Sequence, residues 1–413
     1  MSKKHIPTKD FLNNTIFVIS SPQEAVGLIL LSNNRPIEYC ILIKYIDYTD
    51  GKFFEITKRI IEEVEIRNVY ILNLYLHNSS MNKGEIFLSI KNILLNKKII
   101  KKFDSDIFQG KLFNNSYNFV VQYYSPLLSL GCYDINRIYL MEHSPADSRS
   151  RLSKLNSCNT GTTYHITKNS FFLGCQKITS LIFQGPSKWY SIYKKIKIRI
   201  FIKIINKLFP YMSVLENLKN GFSWIDYEDE FQYLDYRNLQ LNSDFFGSTG
   251  HINHEFKTLL MIDHKAAYKN TGVLYNEMKD IDFVEMYAEI LHKHVSINEF
   301  IVCKLHPFIV QNLTTLEIEA YKEDMRARFL IAGYQNILFF DEIFHDHLIS
   351  LMPVELFIKR LKINKIVGLY SSTMLIVQEW DDVEIISDCS WINEFRYLRD
   401  CDANIFSIKF KSV

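Results

Sequence analysis

The stretch Phe300-Ile301-Val302-Cys303-Lys304-Leu305-His306-Pro307 decides the reading of this chain. An unbroken apolar run, interrupted only by Lys304, predicts a strand buried on both faces of a parallel sheet, and the proline that follows opens a helix. The imidazole of His306 is therefore delivered at the carboxyl end of a strand, where open α/β sheets bind their ligands. Working outward, Asn336-Ile337-Leu338-Phe339-Phe340 predicts a second buried strand, and Met352-Pro353-Val354-Glu355-Leu356-Phe357 a helix opened by proline. Lys365-Ile366-Val367-Gly368-Leu369-Tyr370 predicts a third strand. It stops at Ser371-Ser372-Thr373, three hydroxyls where a helix would begin and free backbone N–H groups could meet an anion. Upstream, Thr258 to His264 reads as the first strand of this half, and Phe283 to His294 as the helix feeding the His306 strand.

The order and spacing of these pieces carry more than any one of them. His-Pro, then Pro-x-Glu-Leu, then Val-Gly-x-x-Ser-Ser resembles the donor-binding half of bacterial sialyltransferases of the two-domain GT-B fold, a group that includes the lipooligosaccharide and polysialic-acid transferases. The resemblance implies an α/β protein of two Rossmann-like domains facing across a cleft. It implies that His306 of the His306-Pro307 motif and the pair Ser371 and Ser372 hold the phosphate of CMP-sialic acid and that Glu355 reaches its ribose; His306, which can give a hydrogen bond or proton to the departing phosphate, is also a catalytic candidate, and Thr373 joins the donor-binding set. Lys304 stands on the same strand as His306 and joins the donor-binding set.

The first half of the chain repeats the strand–helix alternation. Thr15-Ile16-Phe17-Val18-Ile19-Ser20 predicts a buried strand and Ser21-Pro22-Gln23-Glu24-Ala25 a helix start with proline in the first turn. Tyr39 to Ile43, Val69 to Leu74, Asn118 to Val121 and Arg137 to Leu140 predict further strands, with a helix over Phe53 to Glu65. Alternating strands and helices predict a parallel sheet covered on both faces. The Arg137 strand runs into Met141-Glu142-His143-Ser144-Pro145-Ala146-Asp147, two carboxylates and an imidazole that form the candidate acid–base cluster. The sialyltransferases resembled here carry two acidic residues and a glycine at the end of this strand, so His143 stands where their base is expected. Glu142 and Asp147 remain alternatives for that role. Ser148 to Lys177 reads as loop, and Phe222 to His254 as the linker between domains.

The expected domains are 1–245 for the acceptor, 246–390 for the CMP-sugar, and 391–413 as a tail whose helix, over Trp391 to Leu398, returns to the first domain in GT-B enzymes. A chain of 413 residues has room for two cores. With 47% hydrophobic and 23% charged residues it is a folded protein, and a net charge of +2 argues against a nucleic-acid partner. The seven cysteines are odd in number and form no Cys-x-x-Cys pair, which points to reduced thiols and away from zinc. No Asp-x-Asp follows a strand to carry a divalent ion, and His345-Asp346-His347 and His251-Ile252-Asn253-His254 lack the spacing of a helical zinc site. No metal and no cofactor are expected.

No apolar run approaches the roughly 20 residues of a membrane span, and Ile16 to Ile19 is too short for a signal peptide, so a cytoplasmic protein is expected. Lys188 to Pro210 interleaves lysines with Ile, Phe and Trp. This suits either a helix lying peripherally on the cytoplasmic face of the inner membrane or a buried helix whose lysines reach out of its rim. The functional expectation is an inverting, metal-independent transfer of sialic acid from CMP-sialic acid to a bacterial surface glycan, with a galactose-terminated acceptor. A Kdo or other CMP-nonulosonate transferase of capsule assembly, or a non-catalytic CMP-sugar-binding subunit, are the alternatives.

Overall fold

The computed structural model describes residues 12–46, 51–75, 83–112, 117–122, 137–141, 170–174, 232–233, 256–268, 273–378 and 380–406. The chain divides into two compact units, Met1–Asn238 and Leu239–Val413. That division falls within the stretch Phe222 to His254 read as a linker; apart from Gln232–Tyr233, this stretch lies outside the described residues. Among the described residues no helix is long and apolar enough to cross a membrane. Lys188 to Pro210 lies outside them.

The first unit is built on a seven-stranded parallel sheet. Its strands are β1 (Thr15–Ile19), β2 (Ile37–Tyr45), β3 (Ile66–Leu74), β4 (Asn118–Gln122), β5 (Arg137–Met141), β6 (Ser170–Gly174) and β7 (Gln232–Tyr233), in the order β3-β2-β1-β4-β5-β6-β7. The order reverses between β1 and β4, and Phe17 of β1 aligns with Cys40 on one side and Val120 on the other. Being central, β1 is apolar on both faces, and Ile16, Phe17, Val18 and Ile19 are buried. Helix α1 (Pro22–Ser32) begins on Ser21, whose hydroxyl accepts from the Glu24 N–H, with Pro22 at its first position. It ends on Asn33 in the left-handed region at φ 47°. Helix α2 (Lys52–Ile61) buries Ile56, Thr57, Ile60 and Ile61, one stripe at helical spacing. Helix α3 (Lys83–Phe108) follows β3.

Two expectations for this half need correction. Ser148 to Lys177 is not loop throughout, because β6 lies inside it and pairs with β5. The linker stretch contributes β7, which pairs with β6. Ser170-Phe171-Phe172-Leu173 is an apolar run short enough to be missed among the polar residues around it.

The second unit carries a five-stranded parallel sheet. Its strands are β8 (Thr258–Ile262), β9 (Ile301–Leu305), β10 (Ile337–Phe339), β11 (Lys365–Gly368) and β12 (Glu384–Ser387), in the order β10-β9-β8-β11-β12. The order reverses between β8 and β11, and Leu260 of β8 aligns with Cys303 of β9 and Val367 of β11. Helices α4 (Val273–Met278), α5 (Phe283–His294), α6 (Pro307–Asn312), α7 (Thr315–Ile331), α8 (Phe340–Ile343), α9 (Ser372–Val377) and α10 (Asn393–Phe406) follow in chain order. Helix α5 starts on Asp282, whose carboxylate accepts from the N–H groups of Val284 and Glu285. It turns Met286, Tyr287, Ile290 and Leu291 into the core. A reciprocal cap between Thr314 and Glu317 starts α7.

The proline-opened helix expected at Met352–Phe357 is instead a single 3₁₀ turn, Val354–Leu356, preceded by Pro353. Its apolar side chains, Val354 and Phe357, are buried without a second helical turn to continue them. The tail helix begins at Asn393 and extends beyond the expected Leu398. Within the second unit, the Glu394 N–H of this helix donates to the Glu277 carboxylate and the Arg399 guanidinium to the Ser387 carbonyl.

Candidate functional site

Three neighbouring strands of the second sheet, β9, β8 and β11, end side by side at the point where strand order reverses. This is where loops diverge to opposite faces and leave a crevice. With β8 between them, the ends of β9 and β11 are separated by two inter-strand spacings, about 10 Å.

His306 follows β9 directly. Its N–H donates to the Ile262 carbonyl at 2.8 Å, which extends the sheet ladder one residue and sets His306 beside the end of β8. His306 is the residue that caps α6: its Nδ1 accepts from the Phe308 N–H at 3.2 Å, and Pro307 occupies the first helical position, where no N–H is required. That cap decides the ring's chemistry. With Nδ1 accepting, the neutral ring carries its proton on Nε2, which makes no hydrogen bond to a described residue. Such a ring donates a hydrogen bond well, whereas surrendering its only proton would leave an imidazolate. Burial holds the imidazole below its ordinary range; the Asp263 carboxylate opposes that shift and the Lys304 ammonium adds to it.

On the other side, β11 reaches its end through Gly368 at φ 156°, where a Cβ would stand 2.7 Å from the Met261 carbonyl oxygen. Only glycine lets β11 lie this close to β8 there. Ser371 then takes the extended geometry of a helix cap but makes no side-chain cap bond, and its Oγ is buried without a hydrogen-bond partner among the described residues. Buried hydroxyls are usually satisfied, so an orphan at a strand end marks a place where a ligand oxygen fits. Ser372, partly exposed, begins α9, and Thr373 is buried behind it.

The hydroxyl of Thr373 bonds the Glu355 carboxylate, and Glu355 is itself buried on its 3₁₀ turn. Burial raises the Glu355 carboxyl above its usual range, opposed by its own backbone N–H, by Thr373 and by the Lys304 charge. Lys304 is buried; its ammonium donates to the Ser350 carbonyl at 2.8 Å and lies 5.8 Å from the Phe340 ring centroid. Burial brings its pKa down to about 8 against the pull of Glu355. Lys304 thus ties the segment carrying Glu355 to β9, and its donors point into the protein.

The structure therefore places His306, Ser371, Ser372, Thr373 and Glu355 at the carboxyl-end side of the central strands, with Pro307 shaping the His306 turn and Lys304 on β9 itself. Glu142, His143 and Asp147 lie outside the described residues; β5 ends on Met141, immediately before them.

Sequence reading passed over two acids. Asp263 follows β8 and is buried between the His306 and Ser371 strands. Its signal was the one that picked out His306, a polar residue ending an apolar strand. Glu24, fully buried at the end of β1 in the first unit, accepts from the Ser20 N–H and the Ser20 hydroxyl, and burial raises it to about 7. Its signal was the Ser21-x-x-Glu24 spacing of a helix cap.

His345-Asp346-His347 is a turn in which Asp346 accepts from the Leu348 N–H. Among the described residues no group of three or more His, Cys, Asp or Glu side chains is placed to hold a metal ion. No protein-family model and no curated protein matches this chain.

Proposed function

We propose that the protein is an inverting, metal-independent sialyltransferase of the GT-B type, with CMP-sialic acid bound at the edge of the second sheet. One observation carries this reading: His306, Glu355 and Ser371 to Thr373, separated by up to 67 positions in sequence by subtraction of 306 from 373, converge on the ends of β9 and β11.

Transfer breaks the bond between the anomeric carbon and the phosphate oxygen of CMP. The electron pair leaves on that oxygen, an acceptor hydroxyl oxygen forms the new bond, and its proton passes to a base. Negative charge builds on the phosphate, where neutral donors held in a fixed geometry lower the barrier most. The His306 Nε2–H and the Ser371 and Ser372 hydroxyls are such donors. The buried Glu355 carboxylate, steadied by Thr373, is a fitting acceptor for ribose hydroxyls. The base is one of Glu142, His143 and Asp147.

A panel of CMP-sugars, incubated with and without galactose-terminated glycans, tests the proposal by CMP release. CMP-sialic acid should be consumed, faster with acceptor present. Release from CMP-Kdo alone would reassign the donor, and protection of a CMP-sugar without release would make the protein a binding subunit. No binding or turnover of any CMP-sugar would refute the reading.

A further inference from the structure

β8 lies between the strands that bear His306 and Ser371, and the residue at its own end is a carboxylic acid. Asp263 is 5% exposed. Tyrosines from the turn Lys265–Tyr268, from α5 and from α7 hold its polar groups. The Tyr268 hydroxyl donates to Oδ1 at 2.8 Å, the Asp263 N–H donates to the Tyr287 hydroxyl at 2.6 Å, and the Tyr321 hydroxyl donates to the Asp263 carbonyl at 3.2 Å. Oδ2 makes no hydrogen bond to a described residue, and the carboxyl forms no ion pair with one. A charge buried without a counter-charge is strongly unfavourable, and a carboxylate at this point would also repel an anion brought to the strand ends on either side.

We propose that Asp263 is a neutral carboxylic acid that donates a hydrogen bond from Oδ2 to a phosphate held between His306 and Ser371. The proposal rests on reading these strand ends as a phosphate site. Because Tyr268 donates to Oδ1, that oxygen is the carbonyl oxygen of the acid, and the proton belongs on Oδ2, the oxygen left without a partner. An acid kept neutral by its surroundings is a strong uncharged donor at neutral pH. Its neighbour is of the same kind: the α6 cap leaves the neutral His306 ring with its proton on Nε2, so two uncharged donors stand at adjacent strand ends. Burial raises the Asp263 carboxyl above its ordinary range; the His306 charge and the Tyr268 bond oppose this. The first of these acts only when the ring is protonated, and burial holds that ring below its ordinary range. Tyr268, Tyr287 and Tyr321 keep their protons, because burial puts them well above the ordinary tyrosine range. His264, next in the chain, packs against the rings of Phe283 and Tyr321.

The test measures binding of CMP and of inorganic phosphate to the full chain across pH, with urea unfolding of the same proteins. Asp263→Asn exchanges the acid O–H for an amide N–H. It should bind CMP nearly as well as the parent at about pH 6 and better than the parent as pH rises, because the parent ionises and the amide does not. Asp263→Ala, with no donor, should lose roughly tenfold or more at that lower pH. An asparagine variant as weak as the alanine variant throughout would make Asp263 an ionised acceptor and overturn the proposal, as would unchanged affinity in the alanine variant. Unfolding gives a readout without ligand: a carboxyl raised in the folded state contributes stability that is complete in acid and lost as pH climbs above the ordinary carboxyl value. The stability of Asp263→Asn relative to the parent should therefore climb with pH, and parallel curves overturn the neutral acid. If neither Asp263 variant folds, Tyr268→Phe decides, since it removes a bond that favours the ionised form: the pH at which CMP affinity falls should move up, and an unmoved or lowered value overturns the proposal. Phosphate binding with this dependence on Asp263 but no CMP binding keeps the proposal and removes the sialyltransferase, whereas binding of neither removes both.

Discussion

The turn that follows β1 and the turns that follow β9 and β11 start from the same local recipe. Each is an apolar parallel strand stopped by a hydroxyl or imidazole that begins a helix, and two of them use proline at the first helical position. Their polar groups end differently. At β1 they mostly close on one another: Glu24 takes the Ser20 N–H and hydroxyl, and Ser21 takes the Glu24 N–H, with the Gln23 Oε1 left as the exception. At β9 and β11 the Nε2 of His306 and the Oγ of Ser371 make no hydrogen bond to a described residue. A strand end that satisfies itself is scaffold, and one that leaves donors unpaired beside a strand-order reversal is where a ligand belongs.

The largest expected effect probes the closed end. A carboxyl raised from 4.5 to about 7 binds its proton more tightly in the folded protein. Its contribution is therefore complete in acid and is lost as pH rises from about 4.5 to about 7, by roughly 3 kcal/mol at one pKa unit per 1.36 kcal/mol. Urea unfolding of Glu24→Gln should lack this slope, so its stability relative to the parent should climb by about that amount between pH 4 and pH 8. Parallel stability curves would show that Glu24 is not the buried acid described.

At the open end, Gly368→Ala should destabilise the second unit by about 2–3 kcal/mol, because the new Cβ meets the Met261 main chain and cannot be relieved by a rotamer change. A neutral result would mean that β11 and β8 are not held so close.

On the proposed reading, His306→Ala, and Ser371→Ala with Ser372→Ala, should each lose roughly ten- to a hundredfold in CMP-sugar turnover, since each removes hydrogen bonds to the phosphate; His306→Ala also gives up the α6 cap, about 1 kcal/mol of stability, whereas the serine pair should unfold as the parent does. Ser371→Ala alone sharpens the contrast: deleting an unpaired buried hydroxyl should leave stability unchanged or slightly raised while CMP affinity falls. A stability loss above about 1 kcal/mol would show that the hydroxyl is already satisfied within the protein.

The smallest expected effect is that of EDTA. On the proposed reading the phosphate is held by imidazole and hydroxyl donors, so turnover should be unchanged, and an absolute need for magnesium or manganese would point to another donor chemistry.

Strand positions were legible in the residues because a strand covered on both faces must be apolar along its whole length. The runs at Thr15–Ile19, Thr258–Ile262 and Ile301–Leu305 therefore announce themselves, as do caps such as Ser21 and proline starts such as Pro307. The ladder order was not legible, because nothing in an apolar strand names its neighbour; β8 stands between β9 and β11 only in the folded sheet. That order makes Asp263 the neighbour of His306 and turns two distant motifs into one site. It also decided the fates of Lys304 and Glu355: burial and the Ser350 carbonyl draw the ammonium inward, and Thr373 holds the carboxylate. Local chemistry determines where a chain can stop and turn. Which polar groups are left unpaired depends on partners supplied by other strands, and only the tertiary structure brings those partners within hydrogen-bonding distance.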